Sequence, residues 1–221
     1  MFLFHKFSLF IPFAVSETMD MPVDGRLLSY LLKSPVNDGG QWDMIVNILT
    51  KYGVVPKSVY PEAFHSCSSR PLNWLLTYRL REFAATLRCM AEDGKSIQDL
   101  RKSKKAMLEE IHRILCISLG TPPTTFDWNY YTKDKKQKSI RKLTPQSFYK
   151  EHVKCDANDY VSLIHDPRNE YYKIYTVDYL GNVVGGKPVI YINVPIQVLK
   201  QQTRARLEEG KAVWFGCDGE C

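Results

Sequence analysis

The chain has 221 residues, 44% hydrophobic and 24% charged, enough to bury a sizeable core and too apolar for wholesale disorder. Its 12 Gly and 12 Pro exclude collagen-like or low-complexity architecture. A formal charge of +6 permits acidic partners without demanding one, because dedicated nucleic-acid binders concentrate their cations on one face.

In chain order, Met1 to Val15 is an apolar run with an early Lys6, loosely like a signal peptide. His5, Lys6 and Pro12 interrupt it, and Ala14-Val15-Ser16 is a poor cleavage site, so residues 1–20 read as a divergent N-terminal segment of the fold. No other stretch approaches the roughly eighteen apolar residues of a membrane span. Leu27, Leu28, Tyr30, Leu31 and Leu32 predict a short helix ended by Ser34-Pro35. After the loop Asn37-Asp38-Gly39-Gly40, a helix over 41–52 places Trp42, Ile45, Val46 and Leu49 on one apolar stripe, and Gly53 caps it. Pro56 and Pro61 punctuate an extended loop.

From Pro71, the spacing of Leu72, Leu75, Leu76, Leu80, Phe83, Leu87 and Met90 predicts a long helix. A second helix opens at Ser96, turns Leu100, Met107, Leu108, Ile111, Ile114 and Leu115 inward and stops at Gly120, giving an antiparallel pair. Phe126–Tyr131 and Ser139–Leu143 then flank Lys133-Asp134-Lys135-Lys136 as a hairpin with a charged tip. Thr144-Pro145 starts a short helix. Tyr160–Ile164, Tyr171–Tyr179, Val189–Asn193 and Ala212–Cys217 have strand composition, with a helix from Pro195 to Glu209. Helices first and strands last indicate an α+β fold.

The six cysteines, Cys67, Cys89, Cys116, Cys155, Cys217 and Cys221, form no C-x-x-C pair and no metal-ligand spacing, so neither a zinc site nor a cofactor is expected. Their scatter suits a reducing cytoplasmic compartment. Cys89 and Cys116 fall inside predicted helices as buried, inert thiols; Cys67 near His65 reads as an exposed loop thiol; Cys155 follows His152 without evidence of shared geometry. His112 reads as a packed or half-exposed residue of a Leu/Ile-rich helix rather than a general base. Gly181-Asn182 and Gly185-Gly186 read as hairpin turns. Gly39 and Gly40 carry the one mechanical suggestion. Two residues without side chains ahead of a helix let another backbone approach and exchange strand-like hydrogen bonds, with a purely structural loop as the alternative.

Asn37-Asp38-Gly39-Gly40-Gln41-Trp42-Asp43-Met44, Lys51-Tyr52-Gly53-Val54-Val55-Pro56-Lys57 and Tyr60-Pro61-Glu62 closely resemble the bleomycin hydrolase family of papain-like cysteine aminopeptidases. So do Leu80–Ala84, His165-Asp166-Pro167-Arg168, Tyr179–Gly186 and Ala212–Asp218, so that the resemblance runs from about Asp20 to Asp218. It implies a partial papain-like fold. Residues 21–70 would form the helical subdomain with the cleft loop, 71–150 a helical and hairpin insertion used in hexamer contacts, and 151–221 the start of the β-rich half. Gly39 and Gly40 would line the cleft and hold the substrate backbone.

The departures set the functional expectation. The family's nucleophile lies in a Gln…Cys-Trp segment upstream of the glycine loop, and its histidine and asparagine lie far beyond the Phe-Gly-Cys-Asp motif; this sequence carries none of the three, and Cys217 matches a non-catalytic position. No catalytic residue is therefore assigned. The expectation is an interior piece of a peptide-hydrolysing enzyme, inactive alone, with no hydrolysis in the absence of nucleophile and base. The alternative is a non-catalytic assembly or binding subunit associating with full-length enzyme or nucleic acid. For the lysine-rich hairpin (Lys133, Lys135, Lys136, Lys138, Arg141, Lys142) a solvated tip is expected over a nucleic-acid site, since no aromatic platform accompanies the charge in the sequence. Membrane contact is not expected.

Overall fold

The structure, a computed structural model, describes residue 18 and residues 21–36 and 40–216. Its elements are α1 (Arg26–Lys33), α2 (Trp42–Tyr52), the short α3 (Phe64–Cys67), the long α4 (Arg70–Glu92) and α5 (Ile97–Leu119), β1 (Phe126–Tyr131), β2 (Gln137–Leu143), the short α6 (Pro145–Phe148), β3 (Ser162–Ile164), β4 (Ile174–Thr176), β5 (Ile190–Asn193) and α7 (Ile196–Glu208). The arrangement is α+β, with the two long helices ahead of all the strands and the 13-residue α7 after them.

Local chemistry explains the long helical pair. Ser96 takes extended backbone and its side chain accepts the Asp99 N–H, satisfying one of the unpaired donors at the start of α5. Leu72, Leu76, Leu80, Phe83, Ala84 and Leu87 of α4 recur at helical spacing and meet Met107, Ile111 and Leu115 of α5 in one buried cluster that also takes Leu28 of α1. Leu75, expected inward, is 39% exposed. It sits one residue off a stripe that its neighbours Leu72 and Leu76 already fill. Arg79 bridges the pair, bonding Glu82 on its own helix and Glu110 on α5. Arg81 donates from Nε and Nη2 to the carbonyls of Leu32 and Lys33, the last residues of α1, whose carbonyls have no partner within that helix.

The hairpin forms as expected, with β1 antiparallel to β2, Trp128 opposite Ile140 and Tyr130 opposite Lys138. Phe126, Leu143 and Phe148 are its buried centre, against Val54, Val55 and Val59. Trp128 and Tyr130 stack with centroids 4.1 Å apart, and Trp128 meets Phe148 edge-on at 4.9 Å. The hairpin thus does carry an aromatic pair, which the one-dimensional reading did not find. Trp128 of that pair packs against Phe148 and His152, while the tip lysines stand in solvent.

The remaining strands form a sheet in the order β3-β5-β4, with β3 parallel and β4 antiparallel to β5. The strand expected over Ala212–Cys217 is not observed. Residues 211–216 take no regular structure, and Cys217 lies outside the described residues. Strand composition needs a hydrogen-bonded neighbour to act on, and no strand among the described residues pairs with this segment; Trp214 and Phe215 are 72% and 82% exposed. Among the described residues no helix is long and apolar enough to cross a membrane.

Candidate functional site

Gly40 is exposed and stands immediately before α2; Gly39, with Asn37 and Asp38, lies outside the described residues. Gln41 continues as extended backbone, φ −101° and ψ 160°, and its carbonyl accepts the Met44 N–H at 3.0 Å. The helix behind this exit is fixed on an unexpected face. Met44, Val46 and Asn47 are its buried residues, rather than the full stripe Trp42, Ile45, Val46 and Leu49.

The cause is the connection between β4 and β5, which lies across α2. Asp43 Oδ2 accepts the Ile190 N–H at 2.9 Å, and the Met44 carbonyl accepts from Asn182 Nδ2 at 2.9 Å. Asn47 accepts the Lys187 N–H at 2.8 Å and donates to the Lys187 carbonyl at 2.9 Å. Lys51 Nζ donates to the Val184 carbonyl at 2.8 Å. Positions 43, 47 and 51 recur every fourth residue and so share one face. Gly181-Asn182 and Gly185-Gly186 lie in this connection, where the Gly186 N–H closes a turn on the Val183 carbonyl at 2.9 Å. The turn also has a docking role. A Cβ on Gly186 would come within 2.8 Å of Asn47, so the glycine is what allows this close seat.

Trp42, the first residue of α2, donates from Nε1 to the Ala157 carbonyl at 3.1 Å and meets Tyr160 and Trp214 edge-on, with centroids 5.4 and 5.1 Å away. The start of the helix is thereby joined to the chain on both sides of the sheet.

A half-enclosed cavity of about 460 Å³ opens beside Gln41, walled by Ile164, Asp166, Asn169, Tyr175, Thr176, Val177, Tyr191 and Asn193. No sequence motif marks it, because its walls come from the residue capping α2, three strands and two loops. Asn193 is 0% exposed. It donates from Nδ2 to the carbonyls of Asp166, Asn169 and Glu170 at 2.9, 3.0 and 3.1 Å, and accepts the Asp166 N–H at 2.8 Å. One side chain thus shapes the loop that contains His165-Asp166-Pro167-Arg168.

The Asp166 carboxylate is held well below the usual carboxylate range, first by the Arg168 guanidinium, then by the Arg168 N–H and the Asn169 amide. A carboxyl group depressed in the folded state adds stability above its unfolded value near 3.9, and that stability is lost as pH falls through the folded value. Asp166→Asn is therefore expected to lower stability at neutral pH and to converge on the unsubstituted chain as pH falls below about 4, which flattens the acid limb of the profile. Urea midpoints between pH 2 and 7 check this; an unchanged acid limb would refute it.

Cys89 is exposed and Cys116 half-buried, so neither is the buried inert thiol expected: both lie off the Leu/Ile stripe that α4 and α5 share. Cys116 Sγ approaches His112 Nε2 at 3.6 Å, one turn away on α5, and His112 is exposed. Cys67 is exposed on the short α3 rather than on a loop, 3.8 Å from Glu62 Oε2. Cys155 is exposed, while His152 packs on Trp128 and Phe148. Cys217 and Cys221 lie outside the described residues. Among the described residues no group of three or more His, Cys, Asp or Glu is placed to hold a metal ion.

The profile of the Peptidase C1-like family matches residues 3–220. Bleomycin hydrolase of Mus musculus is 49% identical over 201 residues, covering 89% of this chain and 44% of that protein. The Homo sapiens bleomycin hydrolase is 47% identical over the same shares, and aminopeptidase C of Listeria monocytogenes is 45% identical over 92% of this chain and 46% of its own. The crystal structure of PepW from Lactobacillus rhamnosis HN001 superposes with a TM-score of 0.94 at 44% identity, over 98% of this chain and 49% of that one. The chain spans about half the length of the curated relatives it matches.

Proposed function

Because the chain belongs to the Peptidase C1-like family and has its α+β papain-like fold, we propose that it forms one wall of the peptide cleft of a bleomycin-hydrolase-like cysteine aminopeptidase. An extended peptide would run along Gly39 and Gly40, exchanging backbone hydrogen bonds with the loop. The observation that carries this reading is the exposure of Gly40 directly ahead of a helix pinned by Asp43, Met44, Asn47 and Lys51. A rigid support behind an exposed glycine favours binding, because little ordering entropy remains to be lost.

Amide hydrolysis would belong to a protein that also carries the nucleophile, histidine and asparagine of the family. Among the described residues, the cysteine within hydrogen-bonding range of a histidine is Cys116, whose partner His112 lies one turn away on α5. The purified 221-residue chain is therefore expected to leave aminoacyl-coumarin substrates intact. Turnover abolished by a thiol-reactive inhibitor would overturn this.

A second reading, an assembly role through the insertion, is supported by Trp74 and Tyr78 on α4, which are 61% and 52% exposed with ring centroids 4.6 Å apart. Exposed Trp and Tyr are typical anchors of protein interfaces. Light scattering, and co-purification with a full-length relative, test it; a lone monomer in both would count against it.

A further inference from the structure

We propose that Cys116 on α5 is a modification site that forms a mixed disulfide with a small-molecule disulfide, its thiol proton passing to the His112 imidazole. The two residues stand four apart, on adjacent turns of one helix face. Cys116 Sγ lies 3.6 Å from His112 Nε2 and 3.8 Å from Nδ1. A neutral imidazole carries a proton on one nitrogen and accepts on the other. Since both nitrogens lie this close, an acceptor stands beside the sulfur in either tautomer.

The surroundings leave that task to His112. The thiolate is the attacking species, yet Cys116 lies in the last turn of α5, where the carbonyl end of a helix disfavours negative charge. That turn carries no basic residue. An imidazole one turn back offsets the disadvantage by taking the proton as the sulfur attacks. Tyr60 is the other titratable group at the sulfur, and it is no base. Burial, and after it the Cys116 charge, raise its hydroxyl above the ordinary value, so at neutral pH it stays protonated, donating to the Gly120 carbonyl at 2.8 Å.

The other described thiols lack this arrangement. Cys67 faces Glu62 Oε2 at 3.8 Å, a carboxylate that disfavours a thiolate. Cys155 follows His152 by three residues, but that ring packs on Trp128 and Phe148. Cys89 and Cys155 are exposed whereas Cys116 is half-buried. Access alone therefore ranks Cys116 behind them, and the imidazole ranks it ahead. In the reaction Sγ attacks one sulfur of the disulfide as His112 takes the thiol proton. The new S–S bond forms while the old one breaks, and the departing thiolate recovers the proton from His112. Cys116 is oxidised and the released half of the reagent is reduced, so no further oxidant is needed.

The test exposes the 221-residue chain to bis(2-hydroxyethyl) disulfide at neutral pH and follows each cysteine by peptide mass spectrometry after acid quenching. The reagent is uncharged, so neighbouring charges do not bias it. Cys116 is expected to react faster than Cys89 and Cys155 by about tenfold or more. In urea, where the helix no longer holds His112 beside the sulfur, the three rates should converge. His112→Gln is expected to remove the advantage while leaving the Cys89 and Cys155 rates unchanged; His112 is exposed, and circular dichroism reports whether the variant keeps its helices. Tyr60→Phe keeps the ring without the hydroxyl and should preserve the advantage. The proposal is overturned by a native Cys116 no faster than Cys89, by an advantage that persists in urea, or by His112→Gln leaving the Cys116 rate unchanged. A loss in Tyr60→Phe equal to that in His112→Gln would overturn His112 as the proton acceptor.

Discussion

Asn193→Leu is expected to lower the stability of the chain by about 3 kcal/mol, as the amide bonds to several backbone groups and each buried polar group left unpaired costs roughly 1–3 kcal/mol. Leucine keeps the branched shape of the side chain but is larger, so the loss combines the missing hydrogen bonds with overpacking. The Asn169 carbonyl and the Asp166 N–H are bonded by this side chain, which shares the Asp166 carbonyl with the Asn169 N–H and the Glu170 carbonyl with the Tyr175 hydroxyl. The urea midpoint should fall with the slope unchanged, and a loss below about 1 kcal/mol would mean that the loop finds water instead. Asn193→Asp adds a sign that packing alone would not produce. The introduced carboxylate would face three carbonyl oxygens, raising its folded-state value. Such a group contributes stability below its unfolded value near 3.9 and loses it as pH rises through the folded one. Asn193→Asp should therefore gain on Asn193→Leu upon acidification and fall behind it at neutral pH.

Gly53→Ala is expected to be costlier still. Gly53 ends α2 at φ +70° and ψ −162°, a region that residues with a side chain scarcely enter, at about 1–3 kcal/mol. Space forbids the change as well: a Cβ there would lie 2.1 Å from the Pro145 oxygen and 2.4 Å from the Gln146 nitrogen. Backbone cannot yield as a flexible side chain does. The start of α6 would have to part from α2, breaking the Val54 N–H bond to the Pro145 carbonyl and the Gln146 amide bond to the Lys51 carbonyl. Strain and overpacking together come to about 4 kcal/mol, near the whole stability of a small domain. Gly210→Ala is the control, since Gly210 has φ +72° but nothing within 4 Å of the added carbon; it should show the backbone component alone. Thermal unfolding of the two variants side by side makes the comparison, and equal losses would show that the contact with α6 is immaterial.

The parts of this fold legible in the sequence are those whose causes are local. Ser96 caps α5 through a residue three positions away, Gly120 stops it through a bond to Cys116, and β1 and β2 find each other across a short charged turn. Where the cause is distant the sequence reading missed it. Met44 and Asn47 are buried because Asn182 and Lys187 reach them from about 140 residues downstream, and no periodicity within α2 encodes that. Cys89 and Cys116 sit on helices that are buried on one face only, so helix membership did not settle their exposure. Residues 212–216 have strand composition, yet strand formation depends on a neighbour that composition does not name.

The sequence by itself determined the α+β class, the two long helices, the charged hairpin and the family, since caps, spacing and ordered motifs act over a few residues each. Tertiary structure alone decided which face of α2 is buried, that the Gly185-Gly186 turn docks on Asn47, and that Gln41 borders a cavity built from the sheet. Those features rest on hydrogen bonds and close contacts between segments far apart along the chain, and only folding brings the two sides of each contact together.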